Sequence, residues 1–109
     1  MSETMSQEQL EAVMGLIINA GNAKSDAMEA IQAAKQGDFA LAEEKLKAAD
    51  QALVEAHHSQ TGLLTDEASG NPMTITLLAV HSQDHLMTSI TFNDMAKEVV
   101  DLYKRLGNE

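Results

Sequence analysis

The sequence contains no cysteine and no tryptophan, and its 109 residues include only one tyrosine, two phenylalanines and one proline. The lack of cysteine excludes disulfides, thiol catalysis and cysteine-bound zinc. With so few aromatic residues, the core must be built from small and flexible side chains, and the chain has 16 alanines and 7 methionines. Such side chains bury little area each, so we expect association between copies of the chain to supply further burial.

Basic residues are also scarce, with 7 lysines and arginines against 17 acidic residues and a net charge of -10. This charge argues against a nucleic-acid ligand and against an anionic membrane surface, but it permits a basic protein partner. The N-terminal segment has no basic region before a short apolar part, so it is typical of neither a secretory signal nor a membrane span. We therefore expect a cytoplasmic protein that is not inserted into a membrane.

The apolar pattern predicts helices throughout and gives no signal for a strand. Three stripes of residues at alternating steps of three and four indicate three helices, over about 7–36, 39–64 and 73–106. The first two stripes are Leu10, Met14, Ile17, Gly21, Lys24, Met28 and Ile31, followed by Phe39, Ala42, Leu46, Ala49, Leu53, Ala56, Gln60 and Leu63. Short connections between long helices predict an all-α, antiparallel three-helix bundle forming a single domain over 1–109.

Turn residues separate these predicted helices. Gly37 suits the C-terminal cap of the first helix, and Asp38 suits the N-cap of the second. Asn71 followed by Pro72, the only proline, predicts the start of the third helix.

The third helix contains a polar segment, "HSQDH" from His81 to His85, inside an otherwise apolar run. Polar groups hidden from water need partners or a function, because leaving them unpaired is costly. His81 and His85 lie four residues apart and therefore on one face of the helix. Asp84 falls on a neighbouring stripe whose other members are Leu77, Val80, Met87 and Thr91.

Several explanations of this segment stay open on spacing alone. Two histidines and an aspartate on one side of a helix could bind a metal, with His57 and His58 as further ligands. A neutral histidine could instead accept a phosphoryl group, with Gln83, His85, Thr88 and Ser89 as donors or rim residues. A structural explanation also exists, since core histidines are often simply hydrogen bonded and a polar seam residue such as Asp84 can fix helix register.

Four stretches in sequence order carry a resemblance to a known family. They are "EAVMGLIINAG", "AKQGDFALAEEKLKAA", "EAHHSQTGLLTDEASG" and "VHSQDHLMTSI". The chain closely resembles the lactose/cellobiose-type enzyme IIA of the bacterial sugar phosphotransferase system. The family usually has alanine between the histidine and glutamine of the last motif, where this chain has Ser82, and serine is small enough to be tolerated there.

This resemblance implies a cytoplasmic homotrimer, a bundle of nine helices. It implies that phospho-HPr phosphorylates His81 and that His81 passes the phosphoryl group to a cysteine of the cognate enzyme IIB, which phosphorylates the incoming sugar. It also implies that three copies of Asp84 meet on the threefold axis around one metal ion, usually magnesium. All-oxygen ligands are the kind that select such a hard cation.

The remaining polar residues have less defined roles. We expect Gln83 and His85 to support His81, although His85 is equally well explained as a hydrogen-bonded interface residue. His57, His58 and Gln60 are better explained as structural. The sugar is expected to be a β-linked disaccharide of the lactose, cellobiose or chitobiose type. The alternative function is a non-catalytic helical metal-binding or adaptor protein.

Overall fold

A computed structural model describes residues 5–107 of the chain, and it consists of three long helices. Helix α1 spans Gln7–Lys35, α2 spans Phe39–Ala68 and α3 spans Leu77–Gly107. No strand is present within residues 5–107. The predicted all-α, three-helix architecture is therefore confirmed.

The ends of α1 and the start of α2 follow from local capping. The Ser6 hydroxyl accepts from the Gln9 backbone N–H at 3.1 Å, and the Gln9 side chain accepts from the Ser6 backbone N–H, which completes a capping box. Gly37 takes a positive φ of 84° after α1, as a C-terminal glycine should. The Asp38 carboxylate then accepts from the Leu41 N–H at 3.1 Å. The predicted bounds are correct here to one residue.

The connection between α2 and α3 was predicted less well. Helix α2 continues four residues beyond the predicted end at 64, because the first strong helix breaker is Gly70, with a φ of 93°. Helix α3 begins four residues after the predicted start at 73, so Pro72 is not its first residue. Its cap is Thr76, whose hydroxyl accepts from the Ala79 N–H at 3.1 Å.

Contacts between the helices establish an up-down-up bundle. Lys45 on α2 pairs with Glu29 on α1 at 3.2 Å, near the turn that joins these helices. Asn93 on α3 donates to Asp50 on α2 at 2.8 Å, while the start of α2 lies beside the end of α3. Both α2 and α3 pack mainly on α1 and contact each other least. The result is an elongated bundle of 64 × 22 × 16 Å.

Small residues form the buried face of α1. The buried residues of this helix are Val13, Leu16, Ala20, Ala23, Ala27, Ala30, Ala33 and Ala34. The predicted face of α1 was therefore wrong, since Leu10, Met14 and Met28 are exposed. Alanine at the interface lets helix backbones approach closely and pack at high density, which moves the bulkier side chains to the flanks. The predicted face of α2 is confirmed, because Ala42, Leu46, Ala49, Ala56 and Leu63 are buried.

An apolar stripe on α3 lies outside the core of the chain. The helix buries Ala79, Ser82, Leu86, Ser89, Asn93, Ala96 and Val100, whereas Leu77, Val80, Met87, Met95, Leu102 and Leu106 are exposed, Leu77 to 85%. These exposed apolar side chains and Asp84 define what we call the outer stripe of α3. A continuous apolar surface of this kind is typical of an interaction site rather than of a solvated face.

If close packing of α1 is required, a larger side chain on its buried face should destabilise the protein. We expect Ala27→Leu to lower the free energy of unfolding by about 1–3 kcal/mol, because Ala27 is fully buried and the core has no room for the added methyl groups. Thermal and urea denaturation at one fixed protein concentration would measure this. Ala48→Leu, at an exposed position of α2, is the matched control. Equal stability of the two variants would contradict the close packing of this interface.

Candidate functional site

His81 and His85 form a stacked pair on the surface of α3. Their ring centroids lie 5.6 Å apart and their planes differ by 19°. The spacing of four residues places both side chains on one face of the helix, which is what makes the stacking possible. The side chain of His81 is 56% exposed, whereas His85 is half-buried. His81 is thus the member of the pair that an incoming reactant can reach.

Asp84 lies beside His81 on the same side of α3. The distance between His81 Nδ1 and Asp84 Oδ1 is 3.7 Å, too long for a direct hydrogen bond but short enough for the carboxylate charge to act on the ring. Because the carboxylate is nearest Nδ1, it favours the tautomer that carries its proton on that nitrogen, which leaves the lone pair on Nε2. Helical spacing predicts Asp84 beside the histidine pair, and the structure brings it to His81 in particular.

Gln83 is directed to another side of α3. A separation of two residues turns a helix by about 200°, so Gln83 cannot share the face of His81. Its side-chain oxygen instead accepts a hydrogen bond of 2.7 Å from the Gln60 amide on α2. Within residues 5–107 the two glutamines form a link between α2 and α3 with no bond to His81. A supporting role for Gln83 stays a prediction, because the described residues of one chain show no contact between Gln83 and His81.

The two hydroxyl residues that follow the motif differ in access. Thr88 is exposed, and its hydroxyl donates to the His85 carbonyl at 3.2 Å. Ser89 is completely buried, so its hydroxyl cannot form the rim of a surface site, and that suggestion was wrong. The reason is periodicity, since Ser89 lies seven residues after Ser82 on the buried face of α3.

Asp84 is also part of the outer stripe of α3, where its side chain is 68% exposed. Within residues 5–107 no group of three or more histidine, aspartate or glutamate side chains converges in one chain. A metal at Asp84 would therefore need further ligands from outside the chain, such as water or other copies. A carboxylate is an oxygen ligand, the kind that a hard cation such as magnesium prefers.

His57 and His58 do not join His81. They line a groove between α2 and α3 together with Leu53, Ile90 and Asn93. The metal site that combined all four histidines is thus not formed within residues 5–107. Their expected structural role stays a prediction.

In the described part of the chain, none of the helices is both long and apolar enough to span a bilayer.

The model of the family "PTS system, Lactose/Cellobiose specific IIA subunit" matches residues 11–104. The chain belongs to this family. The match includes the whole "HSQDH" segment and therefore every residue placed around His81.

Relatives of this IIA subunit match over nearly their full length. The lichenan-specific phosphotransferase enzyme IIA component of Bacillus subtilis is 46% identical over 105 residues, 96% of each chain. The cellobiose-specific EIIA component of Lactococcus lactis is 50% identical over 101 residues, 93% of this chain and 87% of the relative.

Solved structures of IIA subunits share the fold. The cellobiose-specific enzyme IIA of Bacillus anthracis superposes with a TM-score of 0.92 at 46% identity, covering 97% of this chain and 96% of that one. The IIA(Chitobiose) protein of Escherichia coli was solved as a complex with HPr, and it superposes with a TM-score of 0.80 at 43% identity, over 94% and 99% of the two chains.

Ser82, the departure from the motif usual in the IIA family, lies in the core beneath the site. Its side chain is fully buried, and its hydroxyl donates to the Ala79 carbonyl at 2.6 Å. The Ala79 carbonyl lies in the first turn of α3 and already has a helical backbone partner. The bond from the Ser82 hydroxyl therefore adds little to the stability of the fold.

We therefore expect Ser82→Ala to change the free energy of unfolding by no more than about 1 kcal/mol. Urea denaturation followed by circular dichroism measures this change. Ser82→Leu is the contrasting variant, and overpacking should make it less stable by about 1–3 kcal/mol. A loss of stability in Ser82→Ala as large as that in Ser82→Leu would contradict the minor role of the hydroxyl.

Proposed function

We propose that this IIA subunit is a phosphohistidine carrier, accepting a phosphoryl group from phospho-HPr on His81 and passing it to the cysteine of the cognate enzyme IIB. The observation that carries this proposal is the pairing of an exposed imidazole with a carboxylate on its Nδ1 side. This arrangement directs a nucleophilic Nε2 lone pair outwards from a rigid helix. A protein partner can reach it without any opening of the fold.

Both transfer steps are displacements at phosphorus. In the first step, the Nε2 lone pair of His81 forms a bond to phosphorus while the bond from phosphorus to its donor atom on HPr breaks. With a proton retained on Nδ1, the phosphorylated ring carries a positive charge, which the Asp84 carboxylate at 3.7 Å offsets. In the second step, a thiolate of enzyme IIB attacks phosphorus and Nε2 recovers its lone pair. Positioning and charge stabilisation are the protein's main contributions.

His85 and Thr88 are the neighbours best placed to assist. His85 limits the orientation of the His81 ring by stacking on it, and the Thr88 hydroxyl lies on the exposed side one turn further along. In this proposal Gln83 does not assist His81 within the same chain, because its side chain faces α2 on the other side of α3. The partners should carry basic surfaces around their own sites, because the chain has a net charge of -10 and gains further negative charge on phosphorylation.

The outer stripe of α3 supports a homotrimer. Its exposed apolar side chains would be covered if three copies of α3 met along one axis, giving a bundle of nine helices. Three Asp84 carboxylates would then converge and repel one another unless a cation were bound between them. We propose one magnesium ion per trimer at this position, held by Asp84 of each chain. The two positive charges of the ion would offset two of the three carboxylate charges and relieve the repulsion between them.

The proposed substrate of the complete system is a β-linked disaccharide taken up from outside the cell, and the proposed location of this subunit is the cytoplasm. Relatives are named for cellobiose, N,N'-diacetylchitobiose and lactose, which are β-linked disaccharides, and others for lichenan, a β-linked polysaccharide, and galactose. In this scheme the subunit itself contacts only proteins. The choice between these sugars therefore lies with the component of the transport system that is embedded in the membrane and binds the sugar. A non-catalytic adaptor, the alternative function, would use the same surfaces without a covalent step.

Phosphorylation of His81 separates the carrier from the adaptor. Incubated with phosphoenolpyruvate, enzyme I and HPr, the protein should gain one phosphoryl group per chain, labile to acid and stable to base. His81→Ala should fold normally and gain none, because the acceptor nitrogen is missing. Mass spectrometry and circular dichroism measure the two properties.

His57→Ala is the matched control, an exposed histidine on α2 that should leave phosphorylation complete. His85→Ala should retain part of the phosphorylation rate, since it removes a neighbour and not the nucleophile. Full phosphorylation of His81→Ala would contradict the assignment, and an unphosphorylated wild-type protein would favour the adaptor.

Asp84→Leu tests the trimer and its metal. An apolar side chain removes the repulsion between buried carboxylates and often packs better than buried charge. The variant should stay trimeric and insensitive to chelator, whereas the wild-type trimer should loosen when the metal is removed at neutral pH. Its phosphorylation should reach one group per chain at a rate reduced less than about tenfold, because Asp84 is not the acceptor and makes no direct hydrogen bond to His81 at 3.7 Å, so its loss should raise the barrier by less than about 1.4 kcal/mol.

Sedimentation velocity of both proteins with and without chelator measures the assembly. Glu55→Leu, at an exposed acidic residue on α2 and therefore outside the outer stripe of α3, is the matched control and should leave the chelator response unchanged. A wild-type protein that is monomeric under all conditions, or an Asp84→Leu chain that fails to assemble, would contradict the proposed role of Asp84.

A further inference from the structure

Gly21 lies in the middle of α1 and directly faces His85 of α3. A Cβ atom placed on Gly21 would stand 3.4 Å from His85 Nε2. At Gly15 on the same helix, the corresponding distance is 3.6 Å and the neighbour is the Ser59 hydroxyl, while at Gly62 nothing lies within 4 Å. Glycine inside a helix is unfavourable compared with alanine, so its presence at position 21 calls for a reason in the packing.

His85 is held from two sides at this point. One face of its ring stacks on His81 at 5.6 Å, and its Nε2 edge faces the position that a side chain of Gly21 would take, 3.4 Å from where a Cβ atom would stand. Because α1 is fixed by its fully buried neighbours Ala20 and Ala23, the edge of His85 rests on a rigid surface. The orientation of His85 is thereby set by α1, and the stacking transmits it to His81.

We propose that Gly21 is a positioning residue for phosphoryl transfer: its missing side chain seats His85 against α1, and the seated His85 fixes the His81 ring with Nε2 directed outwards. This proposal rests on the proposed function of His81. It predicts that a bulky side chain at position 21 displaces His85 and frees the His81 ring. The effect of that side chain on phosphorylation and on the His81 ring should depend entirely on the presence of His85.

A double-mutant cycle tests this dependence. Gly21→Val is compared in the wild-type and the His85→Ala background, with Gly15→Val as the matched control, since it places the same β-branched residue on the same helix. The readouts are the initial rate of phosphorylation by phospho-HPr and the NMR shifts of the His81 ring protons, which respond to the stacked His85 ring. Circular dichroism and sedimentation verify that each variant is folded and assembled.

Gly21→Val should slow phosphorylation by about tenfold or more, within the roughly hundredfold loss that a 1 Å misplacement of a reacting group can cause. It should also shift the His81 ring protons. In the His85→Ala background, the same change should alter the rate by less than about twofold, because the two residues act as one unit. Gly15→Val should leave both readouts at wild-type values.

Equal slowing with and without His85, or wild-type rates and shifts in a folded Gly21→Val protein, would overturn the proposal. If valine at position 21 prevents folding, Gly21→Ser provides the same test through the ring-proton shifts, since its hydroxyl extends beyond a Cβ atom that would already stand in contact with His85 at 3.4 Å. Unchanged shifts in Gly21→Ser would then overturn it. The shifts need no phosphorylation, so a failure of the proposed carrier function would be visible separately as a wild-type protein that accepts no phosphoryl group.

Discussion

Close packing of α1 against the other two helices is the constraint on which the rest of the structure depends. The interface is made largely of alanine, and alanine allows helix axes to approach until the backbones nearly touch. The bulky apolar residues then have no place between the helices and lie on the flanks of α1 and on the outer stripe of α3. A chain packed in this way retains a large apolar surface that further copies can cover.

The same packing gives the candidate site its rigidity. α3 presents its core face to α1, so the neighbouring face with His81 and His85 lies at the edge of the contact between the two helices. His85 is half-buried because it lies at this edge. His81 remains exposed because it lies one turn nearer the N-terminal end of α3. A nucleophile carried on a packed helix loses little conformational freedom when a partner docks, which is the condition that positional catalysis requires.

Sequence patterns predicted part of this arrangement, and the remainder could not be obtained from them. The three helices, the caps at Gly37 and Asp38 and the buried face of α2 follow from local rules. The buried face of α1 was misassigned because leucine and methionine outweigh alanine in any hydrophobic pattern, although alanine is what close packing selects. The role of Thr76 as the cap of α3 was missed because Asn71 and Pro72 give a stronger local signal, which the fold does not use.

Around the site, the family motif identified the segment, and the three-dimensional structure shows which helix each of its members faces. His81, Asp84 and His85 share one side of α3, whereas Gln83 turns to α2 and pairs with Gln60. Helical spacing alone predicts that division, but spacing cannot identify the helix that faces each side. The position of α1 opposite His85 makes Gly21 part of the surroundings of the motif, although 64 residues separate the two in sequence.

The outer stripe and the histidine face meet at Asp84, whose carboxylate lies beside His81 and also on the surface that other copies would cover. The proposed assembly and the proposed phosphoryl transfer therefore both involve the surface of α3.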